Sequence, residues 1–438
     1  MEKISTPKNC GQKIHPVMKI LYLAHRAPYP PNKGDKIRTF NEIKCLSQNH
    51  EIDLLALADD PNDLPYKRNL ENYCNRVKLF GLNILKSKIY SLAGLAIRSR
   101  PLSVSYFYNK RLQTCLNQWM TEKSYEAVIC FSSPMAEYLF RCPMLKETLN
   151  PRKPISNGAF PVLIMDFCDV DSQKWHQYAA NSRFPLNLIY DVESRRLLAY
   201  EKKINRLFHH SIFVSTHEVE VFIDLNKQAQ NLTAVPNGVD HDYFSPDAQF
   251  ETIPLKEKEG QKVLIFTGAM DYYANVEGVS WFCRKILPRI RSEHPDVLFY
   301  IVGSNPSPEV KALGNLQGVR VTGFVDDIRP YYRGADVCVI PLRIAAGVQN
   351  KVLEAMAMAR PVVTTKKALE GIKGIPDVHV LIEDDPKHFA DKVVQLLDKK
   401  EKETALASNA RDFILEKYNW QTNIAALERL LPLEPATN

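Results

Sequence analysis

One stretch constrains the fold of this chain more than any other: residues 341–364, which read PLRIAAGVQNKVLEAMAMARPVVT. It begins with the end of an apolar run and turns at Gly347. An Ala- and Met-rich segment follows, and then β-branched residues behind a proline. This succession predicts a strand, a helix and a second strand. Parallel strands joined by a helix form a right-handed βαβ unit, so the pattern predicts an α/β fold.

The start of the predicted helix carries the residues that suggest a ligand. A helix that begins near Gln349 places Lys351 and Glu354 a turn apart on one face. Gly347 lets the backbone approach a ligand, and the first N–H groups of the helix suit a phosphate. Lys351 adds a full charge, and Glu354 can accept hydrogen bonds from sugar hydroxyls. The residues indicate a sugar-nucleotide diphosphate site; an ordinary surface pair beside a turn glycine is the alternative.

The same residues resemble the C-terminal signature of family 4 glycosyltransferases, which have the GT-B fold. The shared pattern is Gly, a short gap, Lys, two residues, Glu-Ala-Met-Ala and a Pro-led strand. Many members have a second Glu where this chain has Ala346, so a polar contact to the transferred sugar is absent or comes from backbone amides. The resemblance implies that four residues bind a nucleotide-sugar donor: Gly347, Val348, Lys351 and Glu354.

Length and composition suit a two-domain protein without a membrane span. The 438 residues fit two domains of roughly 200 residues each. No apolar run reaches the roughly 18 residues that a spanning helix needs, and residues 1–17 lack the apolar core of a signal peptide. Nine scattered cysteines without CxxC pairs favour free thiols, and we expect a cytoplasmic protein.

The N-terminal half opens with an apolar run at residues 20–24, which predicts the first strand, followed by HRAPYPPNKGDKIR at residues 25–38. Gly34 opens a loop where α/β domains bind a phosphate or a sugar. The run resembles the opening of sugar transferases associated with the PEP-CTERM/exosortase system, a branch of family 4. That resemblance implies that Gly34 faces the donor. It also implies that three charged residues flank the active-site cleft, the alternative being solvated first-turn residues: Asp35, Lys36 and Arg38.

Acidic residues gather where the strand predicted at residues 161–167 ends, and they are Asp166, Asp169 and Asp171. Ligands of parallel sheets bind at this edge, where a carboxylate can orient a sugar hydroxyl or act as a base toward the acceptor. We predict that Asp166 is this residue. Helix capping is the alternative role for Asp169 or Asp171.

A second series of strands and helices follows PNGVD at residues 236–240, which resembles the hinge between the two domains of the family. Glycines end three of the predicted strands at the ligand edge: Gly268, Gly303 and Gly323. They do not form GxGxxG, so the dinucleotide fingerprint is absent. We predict donor contacts at Gly268 and Gly303, and the base against the backbone of Phe324 and Val325.

Residues 73–121 contain eight basic residues and no Asp or Glu, interleaved with Leu, Ile and aromatic residues. Such a stretch is typical of a surface that docks on anionic lipid. A basic pocket rim or ordinary helix packing is the alternative. Nucleic-acid binding competes with these readings, but no nucleic-acid-binding motif accompanies the stretch. We therefore expect an anionic membrane surface as a partner, and no nucleic acid.

These features predict an α/β protein of the GT-B fold, in which two Rossmann-like domains present parallel sheets to a cleft. The predicted parts are an acceptor domain at residues 18–235, a donor domain at 236–417, and a C-terminal helix at 418–438 that returns to the first domain. The last part rests on YNW at residues 418–420, which resembles the closing segment of the family.

The predicted activity moves a sugar from a nucleotide-diphosphate-sugar donor to a hydroxyl of a glycan or lipid-linked acceptor, in exopolysaccharide or lipid-linked glycan synthesis. The resemblance implies retention at the anomeric carbon, no cofactor and no metal. Three residues are predicted to be catalytic: Asp166, Lys351 and Glu354. The alternatives are a GT-B epimerase or phosphorylase, and a non-catalytic protein that binds lipid or nucleic acid.

Overall fold

The computed structural model describes residues 17–82, 100–149, 161–257, 259–345 and 347–432. The chain divides into two compact units. Unit 1 comprises Met1–Asp166, Ala199–Ser211 and Leu427–Asn438, and unit 2 comprises Phe167–Leu198 and Ile212–Ala426. The domain boundaries predicted after residues 235 and 417 stay a prediction.

The first sheet has seven strands in the order β3-β2-β1-β4-β5-β6-β7. The central strand β1 pairs in parallel with β2 on one side and with β4 on the other. The strand order therefore reverses between β1 and β4. The seven strands are β1 (Lys19–Ala24), β2 (Glu51–Ala58), β3 (Arg76–Gly81), β4 (Ala127–Phe131), β5 (Val162–Cys168), β6 (His210–Phe213) and β7 (Leu232–Ala234).

The second sheet lies in unit 2 and has six strands in the order β10-β9-β8-β11-β12-β13, all paired in parallel. Its strand order reverses between β8 and β11. The six strands are β8 (Val263–Thr267), β9 (Leu298–Val302), β10 (Val319–Gly323), β11 (Val337–Ile340), β12 (Val362–Thr364) and β13 (Leu381–Ile382). Two sheets of parallel strands confirm the predicted α/β class.

Helices connect these strands, as parallel pairing requires. The early helices are α1 (Gly34–Leu46), α2 (Lys67–Leu70), α3 (Leu102–Tyr106), α4 (Lys110–Glu122), α5 (Ala136–Phe140), α6 (Asp171–Asn181), α7 (Leu186–Leu207) and α8 (Thr216–Leu225). The later helices are α9 (Tyr273–Trp281), α10 (Leu287–Glu293), α11 (Pro308–Leu313), α12 (Arg329–Gly334), α13 (Asn350–Ala357), α14 (Lys366–Leu369), α15 (Pro386–Asp398), α16 (Lys400–Lys417) and α17 (Trp420–Glu428). The succession β11-α13-β12 is the βαβ unit expected from residues 341–364.

The core of unit 2 forms where helices pack on the second sheet. Phe282 lies in a π-helical turn between α9 and α10, and its ring centroid is 4.6 Å from that of Phe299 on β9. The inner face of α13 adds Leu353 and Met356, both fully buried. Because its inner face is packed, α13 holds its polar face, with Lys351 and Glu354, in a fixed position.

Two segments expected at the hinge and at the chain end contact each other within unit 2. A Cβ atom on Gly238 would lie 2.5 Å from the backbone nitrogen of Trp420, so only a glycine fits there. Val239 forms a parallel bridge with Asn419. The contact explains why PNGVD needs its glycine, while the hinge role itself stays a prediction.

Eight cysteines lie in the described residues, and all of them are free thiols, as expected from their scatter. Cys130 on β4 and Cys338 on β11 are almost fully buried. Burial raises the pKa of the Cys338 thiol to about 12 and that of the Cys130 thiol further still. Thiolates are therefore scarce at these two positions near neutral pH.

Candidate functional site

The carboxyl edge of the second sheet brings two glycine loops into direct contact. Gly268 follows β8 with φ 151°, and Gly303 follows β9 with φ 148°. A Cβ atom on Gly303 would lie 1.7 Å from the carbonyl oxygen of Gly268. The two predicted donor-contact glycines are therefore neighbours, and their loops leave no space for a side chain between them.

The amine of Lys351 lies at this glycine edge. Its Nζ donates to Oδ1 of Asn275 over 2.7 Å and lies 4.8 Å from the ring centroid of Phe266. A Cβ atom on Gly268 would be 3.4 Å from the same Nζ. Burial lowers the pKa of Lys351 from 10.5 to about 8, although the charge of Glu354 opposes the shift. The amine is thus a desolvated cation, and a bound anion would stabilise its charge.

Glu354 lies one turn further along α13 and is held by a chain of hydroxyl groups. The Tyr332 hydroxyl donates to Oε2 of Glu354 over 2.9 Å, and 2.8 Å separates the same hydroxyl from Oγ1 of Thr267. Burial raises the pKa of Glu354, while the bond from Tyr332 and the charge of Lys351 lower it. Thr267 is the last residue of β8 and directly precedes Gly268. The hydrogen bonds through Tyr332 therefore connect the Glu354 carboxylate to the sheet edge at Gly268.

Gly347 lies where a side chain would be both strained and crowded. Its φ of 63° is in the left-handed region. A Cβ atom there would lie 2.0 Å from Oδ1 of Asp169, and the carbonyl oxygen of Gly347 is 2.6 Å from the position of a Cβ on Gly371. The turn before α13 is therefore packed backbone to backbone. Ala346, the neighbouring departure from the family signature, lies outside the described residues.

A cavity of about 250 Å³ opens beside Gly347, and all of its lining residues belong to unit 2. Polar and charged side chains of α6, α8 and α14 contribute to the wall, among them Gln173, Lys174 and Glu218. Burial opposes the charge of Lys174, but the surrounding acidic groups outweigh it and raise the pKa of the amine. Within the described ranges, no group of three or more His, Cys, Asp or Glu side chains could hold a metal ion. The cavity wall is partly polar and partly apolar, and its volume has room for a sugar ring.

Comparison with known families identifies the part of the chain that carries this edge. The family profile described as Glycosyl transferases group 1 matches residues 261–399, which include both glycine loops and α13. The chain carries a group 1 glycosyltransferase domain. The chain is 23% identical over 411 residues to a Klebsiella pneumoniae protein named "Uncharacterized 44.6 kDa protein in cps region", with 92% of this chain and 96% of that protein covered.

Solved structures confirm that the chain has the GT-B fold. Sucrose-phosphate synthase from Thermosynechococcus elongatus superposes with a TM-score of 0.66 at 16% identity, over 94% of this chain and 98% of the other. Anabaena Alr3699/HepE, solved in complex with UDP and glucose, gives a TM-score of 0.63 at 16% identity, over 94% and 99%. The narrower resemblance to PEP-CTERM-associated enzymes stays a prediction.

Asp166 lies inside unit 1. Its side chain is fully buried, and Oδ2 accepts from Nε of Arg38 over 2.7 Å. Arg38 also lies 3.0 Å from Glu42, which accepts from the Tyr22 hydroxyl over 2.6 Å. This geometry supports an internal ion pair that fixes α1 against the end of β5. The catalytic role of Asp166 stays a prediction.

The expectation that Lys36 and Arg38 flank an open cleft is wrong. Lys36 is 2% exposed and donates to Asp63 over 2.7 Å, and Arg38 has no exposed surface. Both side chains point into unit 1 because buried carboxylates from distant parts of the chain compensate their charges. Gly34 is exposed at the start of α1, and its contact with the donor stays a prediction.

Phe324 and Val325 follow β10 at the same sheet edge as Gly268. The preceding Gly323 has φ 73°, which turns the chain sharply at the strand end. The Phe324 side chain is 66% exposed, an unusual position for a phenyl ring, and Val325 is partly exposed. An exposed ring beside the glycine edge suits stacking with a nucleobase, and this role stays a prediction.

Residues 83–99 of the basic stretch at residues 73–121, which include Lys86, Lys88 and Arg98, lie outside the described residues. Two of its charges are compensated by acids from elsewhere in the chain. Arg76 bonds Asp53 at 2.9 Å and Glu122 at 3.0 Å, while Arg100 lies 3.7 Å from Glu137. In the part of the chain that the structure describes, no helix is long and apolar enough to cross a bilayer. Docking on anionic lipid stays a prediction.

The sequence did not reveal the groups that hold Lys351 and Glu354. Asn275 lies in α9, and Tyr332 lies in α12, far from α13 along the chain. An Asn or a Tyr in a helix carries no signal of its own. The available hint was position, since both residues belong to helices that follow strands of the second sheet.

Proposed function

We propose that this glycosyltransferase takes a nucleotide-diphosphate sugar as its donor and binds it at the carboxyl edge of the second sheet. The observation that carries the proposal is the amine of Lys351, which is held by Asn275 beside the Gly268 and Gly303 loops. Glycine backbone that a ligand can approach, the cation of Lys351 and the N–H groups of the first turn of α13 lie together there. These groups suit a diphosphate, because they donate hydrogen bonds to it and compensate its charge.

The state of Lys351 supports a role toward charge that develops during the reaction. Burial lowers the pKa of this amine to about 8, and a nearby anion stabilises its charged form. The departing nucleoside diphosphate becomes more negative as the bond to the sugar breaks. A fixed cation at that point therefore stabilises the transition state more than the bound donor.

Glu354 is proposed to accept hydrogen bonds from the ribose hydroxyls of the donor. Its carboxylate is held by Tyr332, so it does not have to be ordered when the donor binds. Phe324 and Val325 would place the base at the end of β10. The structurally similar Anabaena HepE was solved with UDP and glucose, which supports a uridine nucleotide as the first candidate.

The acceptor is proposed to be a hydroxyl of a glycan or of a lipid-linked carrier, in exopolysaccharide or lipid-linked glycan synthesis. Retention at the anomeric carbon, independence from metal ions, and a cytoplasmic location at the inner membrane face belong to the same proposal. The support is the resemblance of residues 25–38 and 341–364 to family 4 enzymes, together with the basic stretch at residues 73–121.

The test is a thermal-shift screen of UDP, GDP, ADP and dTDP and their sugars, followed by Lys351→Ala. At least one nucleotide should raise the melting temperature of the native protein. Transfer by the variant should fall by about 100-fold or more, because one electrostatic contact to the leaving group is lost. Lys311→Ala, at an exposed position on α11, is the matched control.

A folded Lys351→Ala protein with native turnover would contradict the proposal, as would a screen in which no nucleotide binds. Product analysis without an acceptor separates the epimerase alternative. An epimerase converts the donor sugar alone, whereas a transferase needs the acceptor to form product.

A further inference from the structure

One side chain, that of Asn275, connects the cation at the edge of the second sheet to the Gly268 loop. Its Oδ1 accepts from Nζ of Lys351 over 2.7 Å, and its Nδ2 donates to the carbonyl oxygen of Ala269 over 2.8 Å. A Cβ atom on Gly268 would lie 2.7 Å from the same Nδ2. The amide therefore uses both of its ends at this edge, one on the amine and one on the backbone of the loop.

The position of Asn275 is itself fixed by its surroundings. It is the third residue of α9, its backbone N–H donates to the carbonyl oxygen of Tyr272 over 2.9 Å, and only 4% of the residue is exposed. Rotation of the side chain would break both hydrogen bonds of the amide and leave buried polar atoms without partners, which is costly. Asn275 therefore sets the place of the Lys351 amine and does not follow it.

The neutral charge of this partner distinguishes Lys351 from a lysine with a structural role. Lys36 in unit 1 is also held over 2.7 Å, but by the carboxylate of Asp63, which compensates its charge. An amide oxygen accepts the same hydrogen bond and carries no charge. Glu354, whose charge acts on the amine, lies one turn along α13 and is itself bonded to Tyr332. The bonded partner of Lys351 thus holds the cation without neutralising it.

The bond to Asn275 also directs the other hydrogens of the amine. An ammonium group donates three hydrogen bonds, and Asn275 accepts one of them, which leaves two for phosphate oxygens. Lys351 is partly exposed, so a ligand can reach it, and the ring centroid of Phe266 lies 4.8 Å from its Nζ. Charge-assisted bonds to phosphate are strong when their geometry is set in advance. Asn275 provides that geometry.

We infer that Asn275 is the positioning residue for the donor diphosphate, because it holds the Lys351 amine and the Gly268 loop in their binding geometry before the donor arrives. Groups that are ordered in advance bind more tightly, since they lose no freedom when the ligand binds. Asn275 acts on the donor through Lys351 and the loop. The inference rests on the proposed donor site and adds that this site requires a neutral acceptor at position 275.

The test is UDP binding by the full-length protein and two variants, measured by isothermal titration calorimetry between pH 7 and 9.5. Asn275→Leu, similar in shape, removes both hydrogen bonds of the amide. Asn275→Asp keeps an acceptor for Lys351, but it adds a negative charge and loses the donor to Ala269. At pH 7 each variant should bind UDP about tenfold more weakly or worse, because the bond to a charged group is lost or the charge is compensated.

The two variants should move the pH dependence of UDP binding in opposite directions. In Asn275→Leu the desolvated amine loses its acceptor, so the pKa of Lys351 falls below about 8 and binding weakens from a lower pH. In Asn275→Asp the nearby carboxylate favours the charged amine, so this pKa rises and the weakening begins at a higher pH. Damage to the Gly268 loop alone would weaken binding in both variants and move neither pH profile.

Asn315→Leu and Asn315→Asp are the matched controls. Asn315 is exposed and precedes β10, at the end of that strand opposite to Gly323, so both controls should bind UDP like the native protein. The inference is wrong if both Asn275 variants bind UDP with native affinity, or if their pH profiles stay at the native position. Circular dichroism first checks that each variant is folded, and Asn275→Ala replaces Asn275→Leu if the latter is not.

UDP binding by Lys351→Met separates this inference from the proposed donor site. If Lys351→Met loses UDP and both Asn275 variants keep it, the positioning role is wrong and the donor site stands. If Lys351→Met binds UDP like the native protein, the cation does not face the phosphates, and the donor site and the positioning role fail together. A native protein that binds neither UDP nor pyrophosphate has the same consequence.

Discussion

At the scale of single residues, Lys351 should make both stability and donor binding depend on pH. Its pKa is about 8 in the folded protein and about 10.4 in an unfolded chain. Between these values the unfolded chain binds more protons, so the contribution of Lys351 to the free energy of unfolding rises with pH. Donor affinity should change in the opposite direction, because the diphosphate needs the charged amine and the amine loses its proton above about pH 8.

The measurement is the dissociation constant of UDP between pH 7 and 9.5. Well above pH 8 it should rise by about tenfold for each pH unit, since each unit costs one more factor of ten in protonation. Lys351→Met should bind weakly and show a flat profile over the same range. A native profile without a rise would mean that Lys351 does not face the phosphates.

Asp166 should matter for stability more than its single carboxylate suggests. Asp166→Asn removes one of the two buried carboxylates beside Arg38, and Glu42, 3.0 Å from Arg38, remains. Breaking one side of a buried pair costs about 3–5 kcal/mol when the other charge is left unpaired, and the remaining Glu42 should keep the loss near or below the lower end of that range. Urea unfolding should show this loss, and Asp242→Asn, whose side chain is 93% exposed, should show none. A variant that is as stable as the native protein but inactive would instead support the catalytic role.

At the scale of secondary-structure elements, the two glycine loops of the second sheet should tolerate no side chain. Gly303→Ala places a Cβ atom 1.7 Å from the carbonyl of Gly268, so one loop must move. We expect a lower melting temperature and at least a tenfold weaker affinity for UDP, about 1.4 kcal/mol of binding free energy. Gly81→Ala is the control, because no atom lies within 4 Å of its added Cβ. Unchanged affinity in Gly303→Ala would remove the loops from the donor site.

The βαβ unit around α13 was predictable because its pattern is local. Apolar spacing gives the helix, and the helix geometry then places Lys351 and Glu354 on one face. Their partners were not predictable, since Asn275 is 76 residues away and a contact of this kind depends on tertiary packing. The same limit explains Arg38, which looks like a surface residue in sequence but pairs with Asp166, 128 residues further on.

At the scale of the whole molecule, alternation of strands and helices predicted two parallel sheets, because each βα repeat can be read separately. The division into units was less accessible. Phe167–Leu198 belongs to unit 2, although it begins within β5 of the first sheet. Nothing in its composition marks that assignment, since packing decides it and a sequence records packing only indirectly.

Membrane attachment is a property of the whole molecule that vesicle co-sedimentation can test. We expect binding to anionic vesicles that weakens as salt rises, because each basic residue near the surface contributes about 1 kcal/mol of screened attraction. Changing Lys86, Lys88, Arg98 and Arg100 to Gln should abolish most of it. Equal binding to neutral vesicles, or none to anionic ones, would leave the stretch as a pocket rim or a packed surface.

Two buried thiols can report separately on the opening of the two sheets. Cys130 lies in the first sheet and Cys338 in the second, and a thiol reagent reaches either sulfur only when its strand opens. The alkylation rate of each cysteine therefore reports the opening of one sheet under native conditions, without denaturant. UDP at 100 times its dissociation constant stabilises the sheet that binds it by about 2.7 kcal/mol. UDP should therefore slow the alkylation of Cys338 by about a hundredfold. The alkylation rate of Cys130 under the same conditions would then show whether the two sheets open together or separately.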